Sequence, residues 1–173
     1  MVRQALAVAI PCAFCAVTLC AASKTVDLKN AQGQSIGTAA ISPNKGGKGV
    51  TIRLNVQDLP PGEHAFHIHQ TAKCEAPGFT SAGGHFNPDH AHHGINNPQN
   101  PHPHAGDMAN FMVKANGTAK VTIVDASVTM GDDDHSIYAN GGTALVIHAK
   151  ADDLKSDPSG NAGDRIACGV ITK

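Results

Sequence analysis

From residue 24 onward the chain is written in short apolar segments that alternate or are rich in β-branched residues, each closed by Gly, Pro, Asn or Asp, and no long stretch carries a helical period. Alternation sends successive side chains to opposite faces of a strand, and the closing residues are the ones that turns demand. Eight such segments stand out: 24–28, 37–41, 49–54, 65–69, 110–114, 119–128, 144–148 and 169–171. Eight short strands without helices between them predict an all-β, antiparallel sandwich or barrel. Two long segments interrupt the pattern, 70–108, dense in His, Gly, Pro and Asn, and 149–165. Loops of that length in a compact domain are functional or disordered, and bound ligands or a disulfide would order these.

The histidines supply the ligands. His67 and His69 are one residue apart, so on a strand their imidazoles leave the same face while Phe66 and Ile68 turn to the other. His85, His93, His104, Asp107 and the distant His148 bring the set to seven candidate ligands, more than one ion needs. A tetragonal set of imidazoles favours Cu(II), a tetrahedral set of histidines with one carboxylate favours zinc, and the chain offers both.

Composition bounds the rest. Arg3 followed by the apolar run Ala5 to Leu19 and the small residues Ala21 and Ala22 reads as a signal peptide, residues 1–22, cleaved before Ser23. The run is short for a bilayer crossing, and no later segment is apolar enough for a stable membrane span. The mature chain, 23–173, is of a length for a single domain. Lipid anchoring at Cys20 is disfavoured because Leu19 stands where a lipid-attachment signal wants a small residue. The chain is therefore expected in the periplasm or outside the cell. Without the leader there are 12 basic against 14 acidic side chains, with no basic face or aromatic set suited to nucleic acid. Cys12, Cys15 and Cys20 belong to the leader, which leaves Cys74 and Cys168 to form a disulfide in an oxidising compartment.

Four ordered stretches then carry a resemblance: Gly62-Glu63-His64-Ala65-Phe66-His67-Ile68-His69, Gly84-His85-Phe86-Asn87-Pro88, His104-Ala105-Gly106-Asp107, and Gly160-Asn161-Ala162-Gly163-Asp164-Arg165-Ile166-Ala167-Cys168-Gly169-Val170. Together they resemble the copper,zinc superoxide dismutases, and the longer segment after Cys74 is similar to that of exported bacterial members. The resemblance implies an eight-stranded Greek-key β-barrel, a fold for which this family is a known example. It implies one copper ion per subunit on His67, His69, His85 and His148, and one zinc ion on His85, His93, His104 and Asp107, with His85 shared. It implies an antioxidant oxidoreductase that turns two superoxide anions and protons into dioxygen and hydrogen peroxide by alternating Cu(II) and Cu(I), and it admits a homodimer.

The same resemblance gives Asp152 as a carboxylate hydrogen-bonded to His67 and His93, and Arg165 as a catalytic cation that attracts the anion, joined by Lys150 and Lys155. Ala65 stands where relatives carry glycine, and the 149–165 loop is shorter and less charged than in eukaryotic forms. His64 reads as a hydrogen-bonded structural residue. His90, His92 and His102 read as a solvated polar loop, with metal capture as the sharper alternative, and nothing is read into His135. The alternative function on the same fold is a copper- and zinc-binding chaperone or metal buffer. A zinc hydrolase is disfavoured, because four ligands leave no open position.

Overall fold

Among the described residues nine antiparallel strands follow the turn punctuation: β1 (Lys24–Asn30), β2 (Ser35–Pro43), β3 (Val50–Val56), β4 (Gly62–His64), β5 (Phe66–His69), β6 (Phe111–Val113), β7 (Ala119–Asp125), β8 (Thr143–His148) and β9 (Arg165–Ile171). They belong to a computed structural model that describes residues 23–99 and 102–173; the expected leader, with Cys20, lies outside the described residues. Seven strands form one curled sheet in the order β5-β8-β9-β1-β2-β3-β7, while β4 pairs with β6. Among the described residues no helix is long and apolar enough to cross a membrane.

The ninth strand, β4, is additional to the eight expected and lies just before the expected 65–69 segment. Residues 62–69 form a single excursion that changes partners at Ala65: His64 lies opposite Phe111 in the β4–β6 ribbon, and Phe66 lies opposite Ile147 in the β5–β8 ladder. Ala65 donates its N–H to the Lys150 carbonyl and accepts from His148 N–H, so the second ladder runs on through it. β4 thus continues into β5 at one edge of the large sheet. β6 is tied to β7 at the other edge by a turn in which Lys114 bonds both Gly117 and Thr118, and the ribbon bridges the two edges into a barrel. The links β3 to β4 and β7 to β8 cross over in Greek-key fashion. β4 escaped the sequence reading because Gly-Glu-His carries no apolar alternation. β7 stops three residues early, at Asp125, whose carboxylate takes the Ser127 N–H of the following turn. β9 starts four residues early, at Arg165, through its pairing with β8.

Register decides where the ligands go. Phe66 and Ile68 face the barrel interior with Leu145 and Ile147, in the cluster that holds Leu28, Ile41, Ile52 and Leu54. His67 and His69 sit on the opposite, outer face beside Val146 and Ala144. That outer face is nevertheless buried, because the 70–110 loop folds over it and adds a second apolar cluster of Phe79, Ala82, Ala144, Val146 and Cys168. The Cys74–Cys168 disulfide, with Cα atoms 5.7 Å apart and a sequence separation of 94, pins the loop there. Closing a loop of that length removes about 4 to 5 kcal/mol of unfolded-chain entropy.

Candidate metal centre

The loop returns to β5 as an extra strand made of two fragments. Phe86 N–H bonds the Ile68 carbonyl, Ile68 N–H bonds Gly106, and Gly106 N–H bonds Phe86. His85 is thereby set opposite His69, and Asp107 opposite His67. Only glycine fits at position 106, since a Cβ there would lie 2.2 Å from the Ile68 oxygen. Fragments separated by twenty residues reach the strand-borne histidines through backbone hydrogen bonds alone.

Two buried sets of four result: His67, His69, His85 and His148, and His85, His93, His104 and Asp107, each with candidate ligand atoms within 4.8 Å of one another. Every ring of the first set spends one nitrogen on orientation. His67 Nε2 donates to Asp152 Oδ2 at 2.8 Å, His69 Nδ1 to the Gly83 carbonyl at 2.9 Å, and His148 Nδ1 to the Gly163 carbonyl at 3.2 Å. Each bond leaves a lone pair on the other nitrogen. His69 Nε2 and His148 Nε2 face each other at 3.3 Å, while His67 Nδ1 and His85 Nε2 are buried without any hydrogen-bond partner. Buried acceptors that face acceptors are costly unless something positive lies between them, which fits a metal cation.

The second set is built on Asp107. Its Oδ1 meets His85 Nδ1 at 2.7 Å, His93 Nδ1 at 3.0 Å and His104 Nδ1 at 3.2 Å, while Oδ2 accepts the backbone N–H groups of Gly94 and His104. His85 belongs to both sets, with Nδ1 on this side and its unpartnered Nε2 aimed at the other. Asp152 links the sets differently, taking His67 Nε2 from one and His93 Nε2, at 3.0 Å, from the other.

Asp152 is held in turn by residues the sequence reading passed over. Asn110 accepts the Asp152 N–H at 2.9 Å and donates to its carbonyl at 2.8 Å, and Leu154 N–H donates to the carboxylate. Gly160, at φ 62°, approaches so closely that a Cβ would sit 1.6 Å from Asp152 Oδ1. Gly160 opens the 160–170 stretch that carries the family resemblance, so a signal existed. Asn110 had none, since its partners are 42 residues away.

Burial separates the sets electrostatically. It lowers His85 to about 4, aided by His67, against the pull of Asp107. Burial and then His67 lower His148 to about 3, and burial and then His85 hold His69 well below its ordinary value. These rings are neutral near pH 7, the form that binds a metal. In His93 burial is outweighed by hydrogen bonds to Asp107 and Asp152, which raise it to about 9. Both carboxyls lie well below the ordinary range: burial acts against ionisation and is overcome by hydrogen bonds, from His104 first at Asp107 and from His67 first at Asp152.

Half-buried Arg165 donates from Nη1 to the Phe79 carbonyl at 2.8 Å and from Nη2 to the Gly83 carbonyl at 2.7 Å, the same oxygen that receives His69. Its charge contributes to the lowering of His69 and His148. Lys150 and Lys155 are exposed on the same loop. His64 joins neither set; it bridges the His148 and Pro60 carbonyls, both at 2.8 Å. His90, His92 and His102 are exposed and outside both sets, and His135 bonds Ser127 and Asp89.

The family profile for copper/zinc superoxide dismutase (SODC) matches residues 35–171. The chain belongs to this family. It is 47% identical over 161 residues to "Superoxide dismutase [Cu-Zn] 2" of Aquifex aeolicus, covering 88% of this chain and 92% of that one. It is 39% identical over 149 residues to "Superoxide dismutase-like protein YojM" of Bacillus subtilis, covering 84% and 74%. The crystal structure of a SOD-like protein from Bacillus subtilis superposes with a TM-score of 0.81 at 37% identity, covering 85% of this chain and 97% of that one. The chain is accordingly an oxidoreductase acting on superoxide, and membership of the family implies copper and zinc.

Proposed function

We propose that the chain dismutes superoxide at a shared copper and zinc centre outside the cytoplasm, with copper on His67, His69, His85 and His148 and zinc on His85, His93, His104 and Asp107. The observation that carries this reading is His85, a buried ring in both sets whose Nε2 has no other partner. When bound, copper supplies the one-electron exchange that turns two superoxide anions into dioxygen and hydrogen peroxide, and zinc fixes and acidifies the shared ring.

The chain's own groups do the rest. His85, neutral through burial, presents one nitrogen to each side and is placed to take and return a proton at Nε2. Asp152 keeps the His67 and His93 rings turned so that their lone pairs face inward. Arg165, with two donors fixed on carbonyls, holds a positive charge beside the four-histidine set and attracts a small anion, with Lys150 and Lys155 adding to the field. The apolar start of the sequence supports export as a leader, residues 1–22, with 23–173 as the working domain, and the Cys74–Cys168 disulfide fits an oxidising periplasmic or extracellular setting. The reading admits a homodimer.

Metal analysis of remetallated protein should return one copper and one zinc per chain, together with superoxide removal that cyanide stops. A second reading, a binding module without turnover, draws on the Bacillus subtilis relative being named only dismutase-like. A fully loaded chain that leaves superoxide untouched would decide for that module.

A further inference from the structure

Between Asn87 and His104 no strand forms among the described residues, yet the His93 ring in this segment must meet Asp107 and Asp152 at 3.0 Å each. The ring contacts fix where the imidazole ends; something else must fix the backbone from which it starts. The grip comes from the 149–164 loop. One oxygen of the Asp157 carboxylate, Oδ1, accepts the His93 backbone N–H, and Oδ2 accepts from His92 Nδ1 at 2.6 Å. A single side chain thus holds two successive residues and sets the plane of the peptide between them, which decides the direction of the His93 side chain.

The two loops interlock beside this fork. Asn96 N–H bonds the Leu154 carbonyl at 2.9 Å, and Gly94 packs so close to that oxygen that a Cβ would lie 2.4 Å from it. Asn97 Nδ2 holds the His93 carbonyl at 2.9 Å from the other side. Asp157 and His92 are themselves exposed, so they fasten the buried ligand from outside.

We propose that Asp157, with His92, is a positioning pair that clamps His93 for zinc and locks the 149–164 loop onto the zinc-side loop. The proposal rests on the reading that His93 is a zinc ligand. It gives the adjacent histidines separate duties: His93 points in to the metal, and His92 points out to the clamp. Zinc release then requires the two loops to part at Asp157.

The test uses the disulfide-bonded chain loaded with zinc alone and follows zinc transfer to a chromogenic chelator. Asp157→Ala should release zinc roughly tenfold faster, the range found when groups that orient metal ligands are removed. Asp157→Asn keeps an acceptor for the His93 N–H and should stay close to wild type, with His92→Ala between the two. Cobalt(II) in place of zinc gives a second readout: its visible bands should shift in Asp157→Ala and stay in place in Asp157→Asn. Wild-type release from Asp157→Ala would overturn the clamp, as would an Asn variant as fast as the Ala one, which would make the charge the agent. If Asp157→Ala fails to fold, His92→Ala carries the test, and wild-type release from it would overturn the pair. Failure of the wild-type chain to take up either zinc or cobalt would instead remove the zinc reading beneath the proposal.

Discussion

The two halves of the candidate metal centre are made by opposite means. His67, His69 and His148 of the four-histidine set stand on β5 and β8, where pairing fixes them to the rigid sheet, and burial keeps His69, His85 and His148 neutral. The other half is hung almost entirely on loop residues around one ionised carboxylate, and there a histidine, His93, is pushed the other way, to about 9. On the sheet, burial favours neutral rings and one hydrogen bond to each sets its lone pair, whereas the set assembled from loops gathers around a fixed charge. His85 shows both influences at once, bonded to Asp107 yet lowered by burial.

The contrast can be tested by substitution and by pH. His148→Ala should abolish turnover while zinc content stays near one per chain; unchanged activity would remove the strand-borne half from the chemistry. Asp152→Asn touches both halves through His67 and His93 and should weaken metal retention on the order of 10- to 100-fold, measured by competition with a chelator. An effect on one metal only would show that Asp152 does not couple them. Arg165→Lys keeps the charge but loses the planar fork held by Phe79 and Gly83, and should lower kcat/KM by roughly tenfold with a changed salt dependence. If rate and salt slope both stay put, the charge at position 165 suffices and the fork is dispensable.

The metal-free protein should report the opposite shifts directly. His85 and His148, lowered to about 4 and about 3, favour protonation of the unfolded chain as pH drops below 6.5, so their contribution to stability is complete above 6.5 and lost toward acid. His93, raised to about 9, contributes fully below 6.5 and loses its share as pH climbs through 9. The melting temperature should therefore peak near pH 6.5 and fall on both sides. Zinc loading should abolish the alkaline decline, because the metal displaces the proton on His93. A metal-free Tm that rises steadily to pH 9 would contradict a charged His93. In the barrel, Ile52→Val should cost only about 0.5 to 1.5 kcal/mol and leave metal content alone.

Much of this was legible because strand signals are local. The alternation of Phe66, His67, Ile68 and His69 gives two faces before any coordinates, and the structure puts the apolar pair in the core and the histidines outside it. What alternation could not show is that the outer face is covered: β5 and β8 are buried on both sides, the inner by the barrel core and the outer by a loop whose own sequence is largely polar. Each of the eight expected segments carries a strand and β4 is added before Ala65, which fits as alanine because its backbone is not in the left-handed region and joins the β5–β8 ladder. Asp152 was reached through the resemblance, while the other groups that position these side chains were hidden for the same reason. Asn110 and Asp157 act across 42 and 64 residues, and the Gly83 and Gly163 carbonyls act through backbone atoms that every residue possesses.

Residue order alone set the chemical inventory and the strand faces, since side-chain type and a period of two are properties of neighbours along the chain. Tertiary folding alone decided that His85 is shared, that Asp152 spans both sets, and that the unpartnered nitrogens meet in a buried gap. Those are distances between segments brought together by barrel closure, loop return and a disulfide over 94 residues, and no local pattern encodes them.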